Sequence, residues 1–199
     1  MDSALIAPAA IAAAVAWGSG LRLYLVWFVL GMLGRYAGFE LPDTLDWLSH
    51  PVSLGLTGLL SMAEFFADKI PWLDSVWDAL HSFLRIPAGA ALAMALFPDL
   101  DSGGMNALIA LLGGGVAASA QFTKTGSRAV INASPEPFTN VAASAAEEGL
   151  LLAGLWTAFN HPLVFLVLLL IFILFSVVLA VFFVRAIRRM FAARRRPAA

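Results

Sequence analysis

The sequence predicts an all-α, polytopic membrane protein, and its composition and hydrophobic pattern both lead to that class. Of the 199 residues, 61% are hydrophobic and only 13% are charged, whereas soluble domains are about one quarter charged. Residues 162–184 contain no charged side chain, and a helix of that length rises about 33 Å, enough to cross the hydrocarbon core. This composition excludes a nucleic-acid-binding domain, a disordered protein and an ordinary cytosolic enzyme.

Five further apolar segments precede residues 162–184, so about six spans are expected. They cover residues 4–34, 51–67, 86–98, 105–121 and 138–158. The first is too long for one straight span, and Gly18-Ser19-Gly20 interrupts it; the third is short, and Gly113-Gly114-Gly115 interrupts the fourth. Broken or re-entrant helices would resolve all three difficulties, because such backbone is tolerated where it is buried or lines a cavity.

The distribution of charge predicts the topology. Residues 1–184 hold 13 acidic and 6 basic residues, a net charge of −7, while residues 185–199 hold six arginines and no acid. Because basic segments stay in the cytoplasm, we expect one transmembrane domain over 1–184 and a basic cytoplasmic tail over 185–199, with both termini cytoplasmic. The arginines are interpreted as a topology determinant or, alternatively, as a binding site for anionic lipid.

A weak internal repeat divides the transmembrane domain into two candidate halves, 1–98 and 105–184. Gly20-Leu21-Arg22 recurs as Gly126-Ser127-Arg128, and Ser49-His50-Pro51 recurs as Asn160-His161-Pro162. Two halves of three spans would face opposite ways, which is the inverted repeat of many transporters. In both copies the proline is expected to begin a helix.

Three ionisable residues fall near the middle of predicted spans, where an isolated charge is costly and marks a functional candidate. Arg22 lies within 4–34, and Glu147 and Glu148 lie within 138–158. An ion pair between Arg22 and one glutamate would pin two helices together, which is a structural interpretation. The second carboxylate would remain able to hold a proton or a cation, which is an interpretation as a transport site.

The densest group of polar residues lies between positions 64 and 85. Glu64 and Asp68 are one helical turn apart, Lys69 follows, and Pro71 is expected to end one helix and start the next. Four polar residues then share one helix face: Asp74, Asp78, His81 and Arg85. An apolar stripe lies beside them: Trp72, Leu73, Val76, Trp77 and Leu80. This helix either lies at the membrane surface with its polar face in water, or folds back so that the polar face lines a cavity.

The same group contains candidate metal ligands. Carboxylate oxygens suit Mg²⁺, Ca²⁺ or Mn²⁺, and histidine also admits Zn²⁺. The candidate ligands are Glu64, Asp68, Asp74, Asp78 and His81. Lys124 and Arg128 are one turn apart if helical, and they are interpreted as topology determinants or as an anion contact. The sequence lacks the common hydrolase, phosphate-loop and dinucleotide motifs, so neither enzymatic activity nor a cofactor is expected.

Several of these residues resemble the signature of a bacterial integral membrane family, domain-of-unknown-function family 4126. The resemblance rests on Glu64-x-x-x-Asp68-Lys69-x-Pro71 with the run continuing to Ala90, on Ser19-Gly20-Leu21-Arg22-x-Tyr24, and on Asn140…Ser144…Glu147-Glu148. In the last stretch the family usually has Glu-Asp. The resemblance covers most of residues 10–185 and implies a small multi-span protein of unknown activity, which we expect in a bacterial inner membrane.

The leading functional hypothesis is a transporter-like or channel-like protein whose intramembrane polar site handles a proton or an inorganic cation. The candidate site residues are Arg22, Glu64, Asp68, Lys69, Asp74, Asp78, His81, Arg85, Lys124, Arg128, Glu147 and Glu148. One alternative is a membrane scaffold or assembly protein with structural charge pairs. Another is a lipid-phosphate flippase or enzyme with Arg22, Lys124 and Arg128 as anion clamps. The expected partners are membrane lipids and a second copy of the chain, but no nucleic acid.

Overall fold

The computed structural model describes residues 3–97, 103–131 and 137–194, and within those ranges the chain is all-helical, without a strand. In chain order the elements are α1 (Ser3–Tyr36), a 3₁₀ helix (Asp43–Ser49), α2 (Pro51–Ala67), α3 (Pro71–Ala95), α4 (Gly103–Ile131), α5 (Pro137–Asn160) and α6 (Pro162–Arg194). The all-α prediction is confirmed. Residues 195–199 of the predicted tail lie outside the described ranges.

Prolines set where several helices begin. Pro51, Pro71 and Pro162 are the first residues of α2, α3 and α6, as predicted, because proline lacks the N–H group that the first turn leaves unpaired. His50 precedes α2, and its Nδ1 accepts a hydrogen bond from the backbone N–H of Val52 at 3.3 Å. The helix boundaries in this part of the chain therefore follow from local chemistry.

The first helix is broken, as predicted, but the break lies at Arg22 and not at the glycines before it. Arg22 has φ −149° and ψ 89°, which are not helical values. A Cβ atom added to Gly18 would lie 2.8 Å from Cγ2 of Val26, although eight residues of straight helix rise about 12 Å. The two halves of α1 therefore bend sharply at Arg22.

Two other predictions, a separate short segment at 86–98 and a break in the fourth segment, are wrong. Residues 86–98 are not a separate short segment, because α3 runs through Pro87 as part of one helix, Pro71–Ala95. The helix α4 is continuous through Gly113-Gly114-Gly115. A Cβ atom added to Gly114 would lie 3.5 Å from Cβ of Ala90 in α3, so these small residues bring two helices together and do not break one.

The exterior of the described bundle is apolar, and three of its helices are long and apolar enough to cross a membrane: Leu5–Tyr36, Gly103–Ile131 and Pro162–Arg185. On α6, large side chains such as Leu163, Val164 and Phe175 are more than half exposed. The chain is therefore a membrane protein by helix length and composition, while six spans and the inverted repeat stay predictions. The helix α6 continues to Arg194, so the first part of the predicted tail is helical.

The interior contains buried charged side chains beside an apolar core. The helix α1 lies at the centre and contacts each of the other helices, with an apolar core around residues such as Val15, Val26 and Leu151. Beside that core, four cationic side chains are almost completely buried: Arg22, Arg85, Lys124 and Arg128. Burial of this kind requires partners of opposite charge.

Candidate functional site

The candidate site is built around the break in α1. Because a break leaves backbone groups without their helical partners, the Leu21 carbonyl can accept a hydrogen bond from a side chain. Lys124 Nζ on α4 donates that bond at 3.3 Å. Arg22, at the break, and Lys124 belong to two of the candidate spans.

Asp68 is the common partner of three of the buried cations. It directly follows α2 and is fully buried. Its Oδ2 lies 2.6 Å from Arg22 Nη2, 3.2 Å from Lys124 Nζ and 3.7 Å from Arg128 Nη2. The Asp68 carbonyl also accepts a hydrogen bond from Arg128 Nη1 at 3.1 Å. One short segment after α2 thus ties α1 and α4 together.

Arg85 on α3 forms the centre of a second cluster. Its Nη1 donates to Asp78 Oδ1 and to Gln121 Oε1, each at 2.7 Å, and its Nη2 pairs with Glu64 Oε1. Lys124 Nζ lies 3.4 Å from Asp78 Oδ1, so it joins this cluster to the one around Asp68. The two clusters therefore form one continuous network.

The glutamates of α5 form the more accessible end of that network. Arg128 binds Glu147 through two parallel hydrogen bonds, Nε to Oε1 at 2.9 Å and Nη2 to Oε2 at 3.0 Å. Arg22 Nη1 lies 3.2 Å from Glu148 Oε1. The side chains of Glu147 and Glu148 are 14% and 27% exposed, in contrast to 1% for Arg22. The predicted pairing of Arg22 with this glutamate pair is present.

We call this assembly the ion-pair network. Its cations are Arg22, Arg85, Lys124 and Arg128, and its carboxylates are Glu64, Asp68, Asp74, Asp78, Glu147 and Glu148. Four buried positive charges face six carboxylates, and Lys69 at the edge interacts with Glu148 and Asp68, so the formal charge is −2 without Lys69 and −1 with it if every group is ionised. An unbalanced charge in a low-dielectric interior is costly, and binding protons or a cation removes it.

Several buried atoms of the network have hydrogen-bonding capacity left over. Among the described residues, Glu64 Oε2, Asp68 Oδ1 and Asp78 Oδ2 accept no hydrogen bond, and Arg22 Nε and Arg85 Nε donate none. Buried polar atoms are normally satisfied by protein, water or an ion. The network therefore has unused positions where a proton, water or cation can be held.

The carboxylates of Asp68, Asp74 and Asp78 form the part of the network closest to a metal site. All three are buried, and one oxygen from each lies within 4.8 Å of the other two. The other two predicted ligands lie elsewhere, since Glu64 pairs with Arg85 and His81 bonds to Tyr24 and Trp77. Oxygen ligands suit a hard cation, but the Lys124 ammonium already contacts Asp68 and Asp78.

The polar face of α3 folds back against the other helices, as in the second of the two predicted orientations, while the cavity that this orientation included stays a prediction. Asp74, Asp78 and Arg85 are buried, while Trp72 and Leu80 on the apolar stripe are mostly exposed. The helix therefore exposes its apolar side and encloses its charges.

The predicted site residue Lys69 lies just before α3, at the edge of the network. Its Nζ donates a hydrogen bond to the Phe65 carbonyl at 3.2 Å.

Three uncharged site residues were not among the predicted ones. Gln121 accepts from Arg85, Asn140 Oδ1 accepts from Arg128 Nη1 at 3.2 Å, and Ser144 Oγ accepts from Arg22 Nη2 at 2.8 Å. A signal for them exists in the spacing. Gln121 lies three residues before Lys124, and Asn140, Ser144 and Glu147 follow one another at intervals of four and three, which places them on one helix face.

Comparison with known proteins gives one result. A family model with the description Domain of unknown function (DUF4126) matches residues 9–182. The matched range contains every residue of the ion-pair network. No curated protein and no solved structure matches the chain.

Proposed function

The chain belongs to the DUF4126 family, and we propose that this member moves a proton or a small inorganic cation across a membrane as a transporter-like or channel-like protein. The family description assigns no function, so the proposal rests on the ion-pair network. We further propose that the protein acts in a bacterial inner membrane with both termini in the cytoplasm, that its partners are membrane lipids and a second copy of the chain, and that it is not an enzyme.

The excess of carboxylates over cations is the observation that carries this proposal. A purely structural network at membrane depth would be expected to balance its charges, because each uncompensated charge there is costly. Here six carboxylates share four buried cations and Lys69 at the edge, and Glu147 and Glu148 at one end are partly accessible. A mobile positive species that enters beside these glutamates would neutralise the excess.

Flux measurements with Asp68 and Glu147 variants test the proposed function. In proteoliposomes, Asp68→Asn and Glu147→Gln are expected to reduce the flux of the transported cation to the rate of protein-free liposomes, because each removes a carboxylate that the cation needs. Flux of H⁺, Na⁺, K⁺ and Mg²⁺ would be followed with ion-sensitive dyes. The matched control is Asp43→Asn, an exposed residue in the 3₁₀ helix, which is expected to retain full flux.

The proposal would be contradicted by wild-type flux in both variants, or by a wild-type protein that moves none of these ions. Melting curves of each purified variant separate loss of transport from loss of the fold. A folded Glu147→Gln protein without flux supports the proposal even if Asp68→Asn unfolds, because the Glu147 side chain is partly accessible.

The second candidate function is a scaffold or assembly protein whose charges are structural. The observation that favours it is the extent of the pairing, since each buried cation contacts at least two carboxylates. This function predicts lower stability in the neutralised variants, no ion flux, and no thermal protection by any ion. Clamping of a lipid phosphate is not favoured, because Arg22, Lys124 and Arg128 all contact Asp68.

A further inference from the structure

A second polar group, apart from the α5 glutamates, lies beside the ion-pair network. His81 Nε2 lies 3.1 Å from the hydroxyl of Tyr24, and His81 Nδ1 lies 2.8 Å from the Trp77 carbonyl. The imidazole stacks on the Trp77 ring with 4.2 Å between the ring centroids. The His81 side chain is partly exposed, so this group is accessible from outside the network.

These contacts fix how His81 can carry protons. The Trp77 carbonyl can only accept, so Nδ1 must donate its hydrogen to it. In the neutral ring Nε2 then accepts a hydrogen bond from the Tyr24 hydroxyl, and in the protonated ring Nε2 donates to the Tyr24 oxygen. Both protonation states fit the same positions of the heavy atoms.

The Tyr24–His81 pair is also next to the charged part of α3. His81 follows Asp78 by three residues and precedes Arg85 by four, so the three share one helix face. On that face Arg85 pairs with both Glu64 and Asp78. From there the ion pairs continue without interruption through Asp78 and Lys124 to Asp68.

Resting on the proposed function, we propose that the transported cation is the proton, and that Tyr24–His81 is one end of its path and Glu148 the other. A proton bound at His81 Nε2 passes to the Tyr24 oxygen as the original hydroxyl proton leaves for a carboxylate of the ion-pair network. Carboxylate oxygens that accept no other hydrogen bond then hold the proton in turn: Glu64 Oε2, Asp78 Oδ2 and Asp68 Oδ1. Only N–H and O–H bonds form and break, and one proton leaves for each that enters.

The geometry favours a proton over a metal ion. Lys124 Nζ lies 3.2 Å from Asp68 Oδ2 and 3.4 Å from Asp78 Oδ1, between two of the three carboxylates that a divalent cation would need. An added double charge would be repelled by this ammonium and by Arg85 at short range in a medium of low dielectric. A proton needs only one free carboxylate oxygen and leaves the ion pairs in place.

Proton flux in His81 and Tyr24 variants tests this path. With a pH-sensitive dye inside proteoliposomes and a potassium gradient with valinomycin as the driving force, His81→Gln and Tyr24→Phe are expected to lower proton flux about 100-fold, the order of a lost acid–base group. The glutamine amide can still donate to the Trp77 carbonyl, so the fold is kept. The matched control is His161→Gln, an exposed histidine before α6, which is expected to keep wild-type flux and its pH profile.

The outcomes separate this inference from the proposed function. Flux of Na⁺, K⁺ or Mg²⁺ without proton flux overturns the inference and leaves the proposed function standing, whereas absence of all flux contradicts both. Full proton flux in folded His81→Gln shows that the path does not end at this residue. Proton flux lost in both His81→Gln and Glu148→Gln, with melting temperatures near that of the wild type, supports it.

Single cysteines test whether the two ends open to opposite sides of the membrane, as a transmembrane path requires. The chain contains no cysteine, so His81→Cys and Glu148→Cys each introduce one unique thiol. In vesicles of known orientation, a membrane-impermeant maleimide is expected to label the two variants from opposite sides. Labelling of both from the same side, or of neither from either side, would contradict the proposed path.

Discussion

Replacing Arg85 with methionine is expected to lower the free energy of unfolding by about 3–5 kcal/mol, because it leaves the buried Glu64 without its counter-charge and Asp78 with Lys124 alone. Arg85 is fully buried and pairs with both Glu64 and Asp78. Methionine retains much of the side-chain volume, so the effect reports charge and not a cavity. The measurement is unfolding of the detergent-purified protein by heat or by titration with a denaturing detergent.

Two further variants show whether the effect of Arg85→Met comes from the loss of its buried charge. Arg188→Met removes an exposed arginine at the end of α6 and is expected to leave stability unchanged. Adding Glu64→Gln and Asp78→Asn to Arg85→Met is expected to restore part of the lost stability, since replacing a whole buried ion pair is often neutral. If the single variant Arg85→Met has wild-type stability, then Glu64 and Asp78 are not both charged and buried.

Gly20→Leu is expected to disrupt the contact between α1 and α4. A Cβ atom at this position would overlap the carbonyl oxygen of Ala117 and would lie 2.8 Å from Cβ of Ala120. The obstruction is partly backbone, so a side-chain rotation cannot relieve it, and the helices must separate. We expect a cost at or above the upper end of the about 1–3 kcal/mol typical of overpacking, seen as a lower melting temperature and reduced yield of folded protein.

Gly115→Leu provides the matched control on the partner helix. A Cβ atom there has no neighbour within 4 Å, and leucine favours a helix more than glycine does. Its stability is therefore expected to equal or slightly exceed that of the wild type. Equal stability of Gly20→Leu and Gly115→Leu would mean that α1 and α4 do not pack as closely as described.

The features that the sequence predicts correctly are those that local chemistry decides. The bounds of α2 agree with the predicted segment 51–67, and α3 and α6 begin at the predicted prolines. Proline fixes its own φ angle and lacks a backbone donor, so its effect does not depend on distant residues. The membrane class followed equally directly, because few charges and long apolar segments cannot cover a soluble surface.

The break in α1 depends on residues that are distant in the sequence. Glycine content pointed to breaks at Gly18-Ser19-Gly20 and at Gly113-Gly114-Gly115, yet the break lies at Arg22 and α4 is continuous. A helix breaks in a buried setting where other groups satisfy its backbone. Lys124, about a hundred residues away, does so for the Leu21 carbonyl, and no local pattern could reveal that.

The candidate site divides in the same way. The sequence by itself determined that the protein belongs in a membrane, where most of its helices begin, and which charged residues lie among apolar segments. Only the tertiary structure decided that Arg22, Lys124 and Arg128 converge on Asp68, and that carboxylates outnumber cations in the network. The physical reason is that apolar burial and helix starts depend on residues near in the chain, whereas ion pairing depends on distances of about 3–4 Å set by the packing of helices remote in sequence.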